Sequence, residues 1–291
     1  MGLLTALNTA ASGLRSTQVG LDVVASNVAN ANSIGYSRRT VVAVQSVAGD
    51  RTTGVRSDTI ERVLDAALQK QLRLETSGAA YTSSMARFAL ELDRLFGEPG
   101  SASSLDGSLN AFTESLQRLA SDPSLYTART EVLKAGDVLA GRIASIAESV
   151  QTLRSEAEGR LASAVDRAND LLKGIAALDS DIRSATSRTA SPALLDERDR
   201  MINELSQLMD VHVTTAADGS VSITTGGGLN LLTGGAPIAL SFDGRGRLGP
   251  QNLYSSVDAE RSVGTITATT YGGASMDVLA NGLIRSGEIG A

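Results

Sequence analysis

Leucine and valine recur at every seventh residue from the start of the chain. Leu7, Leu14, Leu21 and Val28 form one row, and Leu3, Ala10, Thr17 and Val24 form the row between. Two such rows make one narrow apolar strip on a helix, the strip by which one helix packs against others, with Thr17 as its weakest member. The spacing predicts a helix over residues 3–31, roughly 40 Å long at about 1.5 Å per residue. Gly13 and Gly20 each weaken it by about 1 kcal/mol relative to alanine. A single helix of this kind is marginal in water and gains its stability by burying its strip. The strip therefore asks for a partner.

An asparagine-rich stretch ends the helix: Asn27, Asn30 and Asn32, then Gly35, Tyr36, Ser37 and Arg38. Asparagine amides bond to the backbone of turns and helix ends, and glycine accepts a positive φ. An ordinary helix C-terminus would need no more than this. Residues 37–60 lack helical periodicity and are expected to be an extended connector, with a β-like run at Thr40–Gln45. A second helix is expected from about Ile60 to Phe96, with Tyr81, Met85, Phe88, Leu92 and Leu95 on one face. A short third helix carries Leu105, Leu109, Phe112, Leu116 and Leu119.

The longest helix is expected over about Thr127–Ala185. Ile143, Val150, Ala157, Ala164, Leu171 and Leu178 fall seven apart, beside Leu139, Ile146 and Leu153 and then Leu161, Ala168, Ile175 and Ile182. It would reach about 85 Å, a rod more than a globule. Ser191-Pro192 reads as a capping serine with proline at the first helical position. Leu194, Leu195, Ile202, Leu205 and Leu208 give that helix its buried stripe. From Val211 the period changes to two, and Asp218-Gly219 reads as a hairpin turn. The expected fold is mainly α with a small β domain: a long-helix bundle or coiled-coil rod, an N-terminal amphipathic helix and a distal β-hairpin domain. Its parts are residues 1–36, the connector 37–60, the bundle 61–210, the β domain 211–270 and a return segment 271–291.

Composition narrows the function. Aromatic residues make up 3% of the chain and tryptophan is absent, so the cores are built from Leu, Ala, Ile and Val. The formal charge of -6 opposes nucleic-acid binding, which needs a basic stripe. No cysteine occurs, and His212 is the lone histidine. Disulfides and thiolate sites are therefore excluded, and histidine-based metal sites and triads are disfavoured. No apolar run is long enough to span a membrane, and the first eleven residues lack a signal peptide's basic start.

Gly244-Arg245-Gly246-Arg247-Leu248-Gly249 spells G-x-G-x-x-G, but no amphipathic helix follows it, so it reads as a β-turn. His212 reads as a solvent-facing strand residue. Asp196, Glu197, Arg198, Asp199 and Arg200 read as a solvated helix face whose ion pairs are worth tenths of a kcal/mol each. Arg129 and Arg198 are candidates for joining helices of the bundle. No catalytic, cofactor or metal site is expected, and the chain is not expected to be an enzyme.

The stretch from Ala10 to Arg38, A-A-S-G-L-x-x-x-Q-x-x-L-x-x-x-A-S-N-V-A-N-x-N-x-x-G-Y-S-R, resembles the N-terminal signature of bacterial flagellar axial proteins. Its Y-S-R ending, with long helices after it, resembles the flagellar hook-associated protein 1 family. Ser191–Asp199 is similar to that family's N-D-L-L-D-x-R-D segment. The resemblance implies a structural subunit of the junction between hook and filament, found outside the cell on the flagellum. It would be exported by the flagellar type III route without a cleaved signal. It further implies a ring of like chains and contacts with the hook protein and a second junction protein. An export chaperone, no nucleic acid and no membrane insertion complete the picture.

By position, Leu7, Leu14, Leu21 and Val28 would line an inner tube, and Asn27, Asn30, Gly35 and Tyr36 would shape the turn leading out of it. Ser33-Ile34 stands where Thr-Pro is usual. The family's C-terminal half is absent from this sequence, which reads as a fragment, a split gene or a defective copy. Competing readings are another axial subunit (rod, hook or flagellin-like), a cytoplasmic coiled-coil adaptor, or an enzyme hidden in the β domain.

Overall fold

A computed structural model describes residues 2–48, 51–184, 191–255, 257–270 and 272–291. The chain opens with α1 (Leu3–Ala29) and then an antiparallel hairpin of β1 (Arg39–Ala48) and β2 (Arg51–Arg62). The stretch expected as an extended connector is thus extended but paired with itself. Its register runs from Arg39 opposite Arg62 to Ala48 opposite Arg51, with irregularities at Val42/Ala43 and Ser46/Val47. The hairpin lies along α1. Thr9 Oγ1 donates to the Thr53 carbonyl, the Val55 amide donates to Ser12 Oγ, and Ser57 Oγ donates to Ser16 Oγ. Gly54 permits this approach, since a Cβ there would sit 2.3 Å from Ser12 Oγ.

Because Ile60 belongs to β2, the second helix, α2 (Ala66–Phe96), begins later than its periodicity suggests. Asp65 caps it by accepting from the amides of Ala67 and Leu68. Ser104 caps α3 (Leu105–Ser121) through the Gly107 amide. The long α4 (Tyr126–Ser184) extends about 90 Å. Its burial is uneven. Ala164, Val165, Ala168, Leu171, Leu172, Ile175 and Ile182 are core residues, whereas Leu133, Val138 and Ile143 are exposed. The seven-residue seam is therefore core only in the second half of the helix. There α5 (Pro192–Leu208) and the sheets cover it, whereas α3 and the end of α2 flank the first half, where Arg142 donates to the Leu95 carbonyl. Ser191 precedes Pro192 as expected, but its side chain makes no capping bond. Its carbonyl accepts from Leu194 and Leu195 instead.

Two small antiparallel sheets complete the fold. One orders β3 (Val211–Thr215), β4 (Val221–Thr225), β5 (Asn230–Thr233) and β6 (Ala236–Pro237). The other orders β7 (Ala239–Asp243), β8 (Thr265–Thr269) and β9 (Ser275–Asp277), so strand pairing continues beyond residue 270. A last turn of helix, α6 (Gly287–Gly290), returns against α2 and α5. Ile223, Leu231, Leu232, Ile266 and Val278 from the strands share one core with Leu172, Ile175, Ile202, Leu205 and Met209 from the helices. Asp218-Gly219 turns the β3–β4 hairpin, with Asp218 Oδ1 accepting from the amide and hydroxyl of Ser220. His212 is exposed on β3.

The G-x-G-x-x-G run lies in the loops after β7 and opens no helix. Here the backbone encloses a carboxylate of its own chain. Buried Glu158 of α4 accepts from the amides of Arg245 (3.0 Å) and Gly264 (2.6 Å). Replacing Glu158 by alanine leaves both amides without an acceptor and is expected to lower stability by about 2 kcal/mol. Urea denaturation measures this, and an unchanged midpoint would show that the loop does not depend on Glu158.

Candidate protein-interaction arm

In α1 the two long faces have different fates. Thr9, Ser12, Ser16, Val19 and Val23 recur at helical spacing and form the face toward the hairpin, where Val23 is 7% exposed. At about 100° per residue the leucine strip lies on nearly the opposite side. There Leu7 is 65% exposed, Leu14 63%, Leu21 64% and Val28 73%. Leu3 and Val24 of the companion row are exposed as well. The hairpin takes the face of small residues and leaves the leucines bare.

The asparagine turn is held by side chains bonding to backbone. Asn27 clasps Arg39 in both directions: Nδ2 donates to the Arg39 carbonyl and Oδ1 accepts from its amide, each at 2.9 Å. The Tyr36 hydroxyl donates to Asn27 Oδ1 at 2.9 Å, and the Arg39 guanidinium lies 4.7 Å from the Tyr36 ring centre. Asn30 closes the helix end through Nδ2 on the Ser26 carbonyl. Gly35 has φ +87 and rests against the aliphatic stem of Arg200. Asn32 is exposed. The turn thus joins the end of α1 to the start of β1 with a fixed geometry.

No described residue of α1, β1 or β2 belongs to the buried core cluster. Among the described residues the arm is tied to the body chiefly by charge. Asp196 of α5 accepts from Ser37 Oγ, from Arg39 at 3.0 Å and from Arg62 at 3.1 Å. Arg62 also reaches Asp199 at 2.8 Å, and Asp199 holds Arg73 of α2 at 3.2 Å. Asn203, one turn on, accepts from Arg73 Nε at 2.9 Å.

These contacts correct the expectation of a solvated face over residues 196–200. Asp196 and Arg198 are both buried. Residues 196, 199 and 203 share a helix stripe that meets the arm and α2. Arg198 turns the other way, donating to Asp179 of α4 and the Gly219 carbonyl at 2.7 Å each, so it does join helix to helix. Arg129 does not; it donates to the Pro123 carbonyl and closes the corner before α4. Only Glu197, Arg200 and Glu204 make the partly exposed pairs foreseen for this segment. Ser37, Arg39, Arg62 and Arg73, which make these contacts, are residues that spacing alone did not single out.

Burial opposes the ionised form of Asp196, but the hydrogen bonds from Ser37, Arg39 and Arg62 outweigh it and hold its pKa below the ordinary carboxylate value. Among the described residues no three His, Asp or Glu side chains are grouped as a metal site, and no helix is long and apolar enough to cross a membrane.

Residues 89–290 match the model of the flagellar hook-associated protein FlgK helical domain. The chain belongs to this family. Residues 7–36 match a second family, the flagella basal body rod protein, over the helix and turn of the arm. The chain is 30% identical to flagellar hook-associated protein 1 of Bacillus subtilis over 239 residues, covering 75% of this chain and 47% of that protein. For the Salmonella typhimurium protein the identity is 29%, with 78% and 42% covered. For the Escherichia coli protein it is 27%, with 98% and 51% covered. The chain thus spans about half the length of these relatives. The fold is shared with the flagellar hook junction protein FlgK from Burkholderia pseudomallei, at a TM-score of 0.60 and 24% identity over 76% of this chain and 38% of that one.

Substituting Asp196→Asn removes the charge that Arg39 and Arg62 share and is expected to weaken the arm's attachment by about 2 kcal/mol, allowing for partial exposure. The folded-state pKa of Asp196 is depressed, so its contribution is present above the ordinary carboxylate pKa and is lost as pH falls through the lower folded value. Spin labels on cysteines placed at Leu21 and Lys173 should show a single narrow distance near neutral pH. The distribution should broaden in the variant, and in the parent only once the pH falls below the ordinary carboxylate range. A distribution equally narrow in both would refute the clasp.

Proposed function

We propose that this chain is a structural subunit of the bacterial flagellum at the junction of hook and filament. It joins the assembly by packing the leucine strip of α1 against the terminal helices of neighbouring chains. The observation that carries this reading is the bare strip: Leu7, Leu14, Leu21 and Val28 stand in the solvent while the opposite face of the same helix is covered. Family membership and the names of the relatives support it. Asn27, Asn30, Gly35 and Tyr36 set the angle at which the helix leaves the body, and the Asp196 clasp holds that angle.

The partners proposed are like chains in a ring, the hook protein on one side and a second junction protein on the other. Export is by the flagellar type III route without a cleaved signal, with a chaperone for the bare strip, and the final location is extracellular. The role is structural rather than enzymatic. A rod or hook subunit would share the arm, as the match over residues 7–36 indicates, but the helical body speaks for the hook-associated family.

Leu14→Asp tests the reading. It places a carboxylate within the packed strip, where burial without a partner costs several kcal/mol. The variant should fail to enter flagella, and the helical body should melt at an unchanged temperature because Leu14 touches none of its core. Normal amounts of the variant in sheared flagella would refute the assignment of the strip.

A further inference from the structure

The clasp gathers Ser37, Arg39 and Arg62 onto one carboxylate, Asp196. A single gathering point holds the foot of the arm down but leaves it free to rock. Two further contacts flank that point. At about 100° per residue, residues 199 and 200 fall on opposite sides of residue 196 around α5. On the first side Arg62 reaches Asp199 at 2.8 Å. On the second, the turn at Gly35 stands over the stem of Arg200. A Cβ placed on Gly35 would lie 3.5 Å from Arg200 Cβ and Cγ and 3.7 Å from its Cδ, the three nearest atoms beyond its chain neighbours among the described residues. The foot of the arm therefore straddles the helix.

An arginine stem in water is a poor support, because it samples many rotamers. Arg200 is held at its far end. Its Nε donates to Glu197 Oε2 at 2.8 Å and its Nη2 to Glu197 Oε1, fork on fork, while Nη1 donates to Glu204 Oε1. Glu204 is tied in turn to Arg167 of α4 at 3.0 Å. Hydrogen bonding to Glu197 raises the pKa of Arg200 above its ordinary value, and the same bonding lowers that of Glu197, so the fork stays charged at neutral pH. Partly exposed pairs at this spacing add little to helix stability. Here they fix the course of a long side chain under the turn. We propose that Arg200, held by Glu197 and Glu204, is a positioning residue: its stem is the stop beneath Gly35 that keeps the arm from rocking about the Asp196 clasp. This role rests on the reading of α1 as the assembling arm and names a second support for its inclination.

The test uses the full-length chain with spin labels on cysteines at Leu21 and Lys173, at neutral pH where the Asp196 clasp is intact. Arg200→Ala removes the stem. It should lose the single narrow distance of the parent, with an unchanged circular dichroism spectrum and melting temperature, because Arg200 lies outside the buried core. Glu197→Gln combined with Glu204→Gln keeps the stem but frees its end, and should broaden the distribution in the same way. A distribution as narrow as the parent's in either variant would overturn the proposal. So would a broadening that comes only with loss of helix signal, since Arg200 would then support α5 rather than the arm. The distances are read on the isolated chain, so the result stands apart from whether the chain enters flagella.

Discussion

A two-stranded hairpin can cover only one face of a helix, and in α1 it covers the face of Thr9, Ser12, Ser16 and Val23. That choice governs the rest. Small residues let the strands approach closely enough for Thr9, Ser12 and Ser16 to bond to the hairpin, and Gly54 removes the side chain that would obstruct Ser12. Leucine, too bulky for such an approach, is left on the other side. The arm is in this way stiffened by its own strands without spending the apolar surface that an assembly needs.

The body is built on a different economy. One apolar core joins the second half of α4, α5 and both sheets, and among the described residues the arm contributes nothing to it. The link between the two is a set of ion pairs on one stripe of α5. Charge pairs are directional, and an arginine fork on a carboxylate fixes orientation as well as position. A clasp of this kind sets an angle while adding little to the stability of the body. Such a connection suits a subunit whose arm must meet neighbours at a defined inclination.

The leucine strip was legible in the sequence because a period of seven survives without knowledge of any partner. So were the helices, the Asp218-Gly219 hairpin and the innocence of the G-x-G-x-x-G run, all of which depend on neighbours close in sequence. The β1–β2 hairpin was visible only as the run Thr40–Gln45, since its two strands lack clean alternation and carry two irregularities of register. The clasp was not legible. Ser37 and Asp196 are 159 residues apart, and Arg62 and Asp196 are 134 apart. On a helix surface a carboxylate awaiting such a partner looks the same as one facing water. For the same reason the seam of α4 announced a helix but not which half of it would be buried.

The absence of cysteine allows the central claim, that the strip is bare in the free chain and covered in the assembly, to be measured by placing single thiols. Cysteine is introduced at Leu14 or at Leu21, with a third variant at Val23 on the covered face, and maleimide labelling rates are compared for the isolated chain and for sheared flagella. The account predicts fast labelling at 14 and 21 in the isolated chain, strong protection of both in flagella, and slow labelling at 23 in each. Slow labelling at 14 and 21 in the isolated monomer would mean that the strip is buried by its own chain, and the account would be wrong.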